Sequence, residues 1–127
     1  MDFPGVAAPL VLVIEDEESV RNLIGRILER RGLRVLVAAD GREGIVLFDH
    51  HRDEIRLVVL DYHLPGEPGE RTFDELRKLS PALRVVLVTG DAAADLGADA
   101  RQHIACMILK PFTTDEMMLA VDAVLAA

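Results

Sequence analysis

The chain has 127 residues, half of them hydrophobic, with a formal net charge of −8 and one cysteine. That length fits one domain with a real core, and the hydrophobic fraction excludes intrinsic disorder. The acidic balance argues against a domain that grips nucleic acid by itself. Cys106, as the lone cysteine, excludes an internal disulfide and suits a reducing compartment. The longest apolar stretch, residues 6–14, is interrupted by Pro9 and is far too short to span a bilayer. No basic region followed by an apolar core opens the chain, so no signal peptide is visible. A cytoplasmic location follows as an expectation, with no direct nucleic-acid or membrane contact by this domain.

Residues 1–9, with Pro4, Gly5 and Pro9, read as a tail or linker remnant, and residues 10–127 as the folded domain. Leu10-Val11-Leu12-Val13-Ile14 is a continuous apolar run, the mark of a strand buried on both faces. Val20, Leu23, Ile24, Ile27 and Leu28 make a helical stripe that Gly32 stops. Residues 35–38 form a second strand. Asp40 with Glu43 caps a second helix carrying Ile45, Val46 and Phe48. Residues 57–60 form a third strand. Phe73, Leu76 and Leu79 stripe a third helix that Ser80-Pro81 ends. Residues 85–88 form a fourth strand, residues 92–102 a weak helix broken by Gly97, and residues 105–109 a fifth strand. Thr113 with Glu116 is a capping box, and Met117, Val121 and Val124 stripe the last helix. Alternating strands and helices imply an α/β fold: a doubly wound five-stranded parallel sheet with helices on both faces.

Three of these strands run into charged residues. The first ends in Glu15-Asp16, the third in Asp61 and the fifth in Lys110-Pro111. In an open parallel sheet the ligand site lies outside the carboxyl ends of the strands. Carboxylates and an ammonium are thus delivered to one edge, as a divalent-cation and phosphoryl site requires. Two carboxylates about 5 Å apart at an effective dielectric near 20 repel by roughly 3 kcal/mol. Lys110 alone cannot balance three of them, so a divalent cation is the natural complement.

Val13-Ile14-Glu15-Asp16-Glu17-Glu18, Val59-Leu60-Asp61-Tyr62-His63-Leu64-Pro65-Gly66, Val88-Thr89-Gly90 and Leu109-Lys110-Pro111-Phe112 together resemble the receiver domain of two-component response regulators. No one of these motifs is specific; four in this order, each at a strand end, are. The resemblance covers about residues 10–126 and implies a flavodoxin-like sheet of order 2-1-3-4-5. It implies that Asp61 is the phosphoacceptor, taking a phosphoryl group from a histidine kinase or histidine phosphotransfer domain. It implies Mg2+ (or Mn2+) held by Glu15, Asp16, Asp61 and the backbone carbonyl of His63. Lys110 would neutralise charge on the transferring group, and Thr89 would bond a phosphoryl oxygen once Asp61 is modified.

Some residues carry plainer readings. Glu17 and Glu18 suit an acidic first helical turn, and Cys106 a small buried strand residue. His50 and His51 suit an exposed helix end. Asp61-Tyr62-His63-Leu64-Pro65-Gly66 also fits Asp-x-His-x-x-Gly, which resembles the lower-ligand motif of cobalamin-binding domains. That motif follows the first strand in those domains and the third here, and it leaves Glu15-Asp16 and Lys110-Pro111 unexplained. A pseudo-receiver that binds partners without phosphorylation is the alternative from the interaction class.

The chain departs from the receiver pattern at Met107, where many receivers carry Tyr or Phe, and at Glu15, where Asp is commoner. Met118 and Leu125 lie off the apolar stripe of the last helix. They suggest a surface patch for a homodimer or output partner formed with the weak fourth helix and the fifth strand. The tract from Gly66 to Leu76 looks like receivers of hybrid sensor kinases, so the chain is either free-standing or a hybrid-kinase receiver.

Overall fold

The computed structural model describes residues 8–64, 69–90 and 102–126. Its elements run β1 (Leu10–Ile14), α1 (Glu18–Arg30), β2 (Arg34–Ala38), α2 (Gly41–His51) and β3 (Ile55–Asp61). They continue with α3 (Gly69–Leu79), β4 (Val85–Thr89), β5 (Ile104–Leu109) and α4 (Thr114–Ala126). All strand pairs are parallel, in the order β2-β1-β3-β4-β5. The helix expected over residues 92–102 lies almost wholly outside the described residues.

Period-two alternation sorts the buried residues onto two faces. Leu12, Ile14, Val58, Leu60, Val85 and Leu87 meet Phe48 of α2 and Phe73 and Leu76 of α3. Val11, Val13, Val59, Val86, Val88 and Ile108 meet Ile24 and Leu28 of α1 and Met117 and Val121 of α4. Helices therefore cover both faces, and α2 lies so close to β1 that a Cβ at Gly44 would meet Ile14 Cδ1 at 2.4 Å.

The expected helix signals are realised. Gly32 takes φ 86°, and the bonds Gly32 N–H to Glu29 O and Leu33 N–H to Leu28 O close α1 as a Schellman motif. Asp40 Oδ1 accepts from Glu43 N at 2.8 Å. Thr113 Oγ1 accepts from Glu116 N, and Glu116 Oε1 accepts from Thr113 N, a complete capping box. Arg31, which caps the end of α1, donates from Nε to Asp122 Oδ2 of α4 at 2.8 Å, which ties the two helices of one face together.

The pairing is irregular at two points, between Leu10 and Val11 against β3 and between Val85 and Val86 against β5. Both lie at the amino-terminal ends of the strands. Pro9 joins this edge, its carbonyl accepting from Arg34 N at 3.0 Å.

Three expectations change. Cys106 is only half-buried. Met118 and Leu125 pack against the core, whereas Leu119 is 70% exposed and, with exposed Met107 and Leu109, forms the apolar surface beside β5. Leu23, placed in the α1 stripe, is 46% exposed.

Thr72 of α3 is fully buried, yet its Oγ1 has no hydrogen-bond partner among the described residues. A stranded buried hydroxyl costs stability that an apolar replacement recovers. Thr72→Val is expected to stabilise the protein by about 1 kcal/mol, seen as a higher urea midpoint at unchanged slope.

Candidate functional site

The sheet register builds the site. Ile14 pairs with Leu60, so Glu15 and Asp61 are the next residues on neighbouring strands. Asp61 pairs with Val88, which puts Thr89 one step beyond. Thr89 pairs with Leu109, which puts Lys110 one step beyond again. The pairing continues past the strand ends: Glu15 N donates to Ala38 O at 3.0 Å, Tyr62 N to Val88 O at 2.9 Å and Lys110 N to Thr89 O at 2.8 Å. Four distant segments thus meet along one edge.

Glu15, Asp16 and Asp61 each bring one carboxylate oxygen within 4.8 Å of the other two. Glu15 and Asp61 are 1% and 3% exposed, and Asp16 stands at the open rim. Lys110 Nζ donates to Glu15 Oε1 at 3.1 Å and to Asp61 Oδ2 at 3.2 Å. Asp61 Oδ1 accepts from the backbone N–H of His63 at 3.0 Å. Thr89 is fully buried, with its Oγ1 3.1 Å from His63 Nε2.

Burial and charge divide the two buried acids. Burial, followed by the hydrogen bond to Asp61 and its charge, raises the Glu15 pKa to about 8 against the partial relief from Lys110. Burial also pushes Asp61 upward. The hydrogen bonds from Glu15 and the His63 N–H, together with Lys110, outweigh it and hold Asp61 below its usual range. Burial opposes the charge on Lys110, but its bond to Glu15 and the two carboxylates hold its pKa above the usual value. One lysine is shared by two buried acids, and burial beside Asp61 raises the Glu15 pKa more than Lys110 lowers it.

Further positive charge is what a hard divalent cation supplies. Three convergent carboxylates, one of them at a solvent-open rim, fit a metal that takes oxygen ligands and keeps part of its water shell. The donor set therefore suits Mg2+, and Glu15 is long enough to reach Lys110 as well.

Two contributors were not visible in the sequence. Arg21 Nη1 donates to the backbone carbonyls of Glu15 at 3.1 Å and Asp16 at 3.3 Å, pinning the acidic turn from the first turn of α1. Gly69 opens α3 against the loop after β3: a Cβ there would lie 2.1 Å from Tyr62 O. A position that presses on backbone demands glycine, and this one fixes the segment between Asp61 and His63. Pro65 and Gly66 lie outside the described residues.

The family model of the response regulator receiver domain matches residues 11–122. The chain belongs to that family. Among curated relatives, the receiver is 34% identical to the sensor kinase CckA of Brucella abortus (strain 2308), over 98% of this chain and 13% of that one. The chain spans less than half the length of the first curated relatives it matches. Among solved structures, the receiver domain of NtrX from Brucella abortus superposes with a TM-score of 0.83 at 30% identity, covering 92% of this chain and 98% of that one. A receiver domain protein from Clostridium thermocellum superposes with a TM-score of 0.85 at 27% identity, covering 93% and 94%. Receiver domains of this family bind Mg2+ at an acidic cluster and interact with histidine kinases or phosphotransfer proteins. In this receiver Glu15, Asp16 and Asp61 converge as a candidate group of that kind, and no helix among the described residues is long and apolar enough to cross a membrane.

Proposed function

We propose that Asp61 is the phosphoacceptor of this receiver and that the domain catalyses its own modification. An Asp61 carboxylate oxygen attacks phosphorus on a donor's phosphohistidine. The new O–P bond forms as the N–P bond breaks, and the electron pair leaves on the imidazole nitrogen, which takes up a proton. The observation that carries this reading is Lys110 Nζ held between Glu15 and Asp61, beside three convergent carboxylates. Such a transfer needs positioning and charge neutralisation more than covalent assistance. Lys110 is a buried-edge ammonium placed to face the oxygens of the incoming group. Thr89 brings a buried hydroxyl to the same edge. Glu15, Asp16, Asp61 and the His63 carbonyl would hold Mg2+ (or Mn2+), which when bound supplies the remaining positive charge at the phosphoryl oxygens.

The donor is a histidine kinase or a histidine phosphotransfer domain. A groove of about 320 Å³ lined by Val20, Leu23, Lys110, Pro111 and Phe112 runs beside the site and supports docking of an apolar helical surface there. The exposed Met107, Leu109 and Leu119 support a second contact, with an output partner or another copy, through β5 and α4. We read residues 1–9 as a tail and 10–127 as the receiver. The 34% identity to a sensor kinase favours the cytoplasmic receiver of a longer hybrid sensor kinase over a free-standing protein.

Incubation with acetyl phosphate and magnesium is expected to add one base-labile phosphoryl group, read by intact mass and mapped to Asp61. Asp61→Asn is expected to abolish it. An adduct elsewhere, or none from any donor, overturns the proposal.

A further inference from the structure

We propose that His63 is a positioning residue for Thr89: its imidazole engages the Thr89 hydroxyl and has to release it before that hydroxyl can turn to a phosphoryl group on Asp61. The inference rests on the reading of Asp61 as phosphoacceptor. Thr89 is fully buried, and a buried hydroxyl demands a partner. His63 Nε2 lies 3.1 Å from its Oγ1. The imidazole is itself well held. Its own backbone N–H is bonded to Asp61 Oδ1 at 3.0 Å. Its ring stands edge-on to Tyr62, with centroids 5.5 Å apart and planes at 80°. Tyr62 in turn is pinned by the close approach of Gly69.

The hydroxyl has one proton to give. A phosphoryl oxygen only accepts, so it needs that proton. With Nε2 as the acceptor and the ring proton on Nδ1, that proton is committed to the ring, and His63 and the phosphoryl group compete for Thr89. Through its backbone the same residue senses Asp61, so modification of one bond partner and release of the other are linked.

Beryllofluoride with magnesium, an acyl-phosphate mimic, tests this on the whole chain. His63→Ala is expected to raise beryllofluoride affinity about fivefold, the value of one net hydrogen bond. His63→Gln, whose amide can hold the same hydroxyl, is expected to return affinity toward the wild type. In a Thr89→Val background His63→Ala is expected to change nothing. In the free protein, Thr89→Val is expected to shift the His63 Nε2 resonance in nitrogen-15 spectra. An equal affinity change in both backgrounds, a fall in affinity, or an unmoved Nε2 resonance overturns the assignment. Failure of the wild type to bind beryllofluoride at all overturns the phosphoacceptor reading instead, a result distinct from binding that His63→Ala leaves unaltered.

Discussion

Lys110→Met is expected to slow phosphoryl uptake from acetyl phosphate by about 10²–10³-fold, the usual effect of removing one preorganised charge donor from a transition state. The methionine keeps the length of the apolar stem and deletes only the ammonium that Glu15 and Asp61 share. Folding suffers less than chemistry. Removing one partner of a fully buried ion pair costs about 3–5 kcal/mol. Here the lysine side chain is 27% exposed, and Glu15 already retains its proton, so a loss of about 2 kcal/mol is expected. Intact-mass time courses at saturating magnesium, beside urea melts of the same proteins without magnesium, separate the two effects. Uptake within a few-fold of the wild type, in a variant that melts normally, would remove Lys110 from the phosphoryl site.

Without magnesium, stability is expected to fall as pH rises from about 4.5 to about 8. The cause is Glu15, whose carboxyl ionises near 4.5 in the unfolded chain but holds its proton to about 8 in the folded one. Across that window the folded state binds more protons, so the contribution is fully present below 4.5 and is lost as pH passes 8. The slope is up to about 1.4 kcal/mol per pH unit. Asp61, held below its usual value of 3.8, acts oppositely: its contribution is present above that value and disappears only in stronger acid. Magnesium binds the folded site alone and displaces the Glu15 proton, so it is expected to raise the melting temperature and flatten the profile. Asp61→Asn leaves the burial of Glu15 in place but removes the carboxylate whose hydrogen bond and charge add to it in raising the Glu15 pKa. It is expected to flatten the magnesium-free profile and to be more stable than the wild type at neutral pH. A flat wild-type profile between pH 5 and 8, or indifference to high millimolar magnesium, would refute the close grouping of Glu15, Asp16 and Asp61.

The parts of the molecule legible from sequence are those built on side-chain pattern. β1 was bounded correctly because five consecutive apolar residues are all buried, which only a central parallel strand does. β3 was read short because exposed Arg56 interrupts its apolar run, while backbone pairing carries the strand back to Ile55. In α1, Leu23 falls within the helical stripe, but the stripe is wider than the face the sheet covers, and Leu23 borders the groove by Phe112. In α4 the apolar stripe is wider than its spacing suggests: Met118 and Leu125 still reach the core, and Leu119 is the large apolar side chain that points away. The acids and the lysine announced themselves as charges ending apolar runs. Arg21 and Gly69 did not, since both act on backbone atoms that no side-chain spacing encodes. The His63–Thr89 contact joins two strand ends 26 residues apart and needed the register of β3 on β4 to be seen.

Both irregularities of pairing sit at the end of the sheet remote from Asp61, between Leu10 and Val11 and between Val85 and Val86. Strand-length mismatch is therefore taken up where nothing chemical happens, and each strand is counted from its carboxyl end. An added residue at the remote end can be swallowed by another bulge. The same residue added before Glu15, Asp61 or Lys110 would turn the apolar faces over and carry off a charge in one stroke. Length variation in this molecule has a permitted edge and a forbidden one, and the forbidden edge couples misfolding to inactivity.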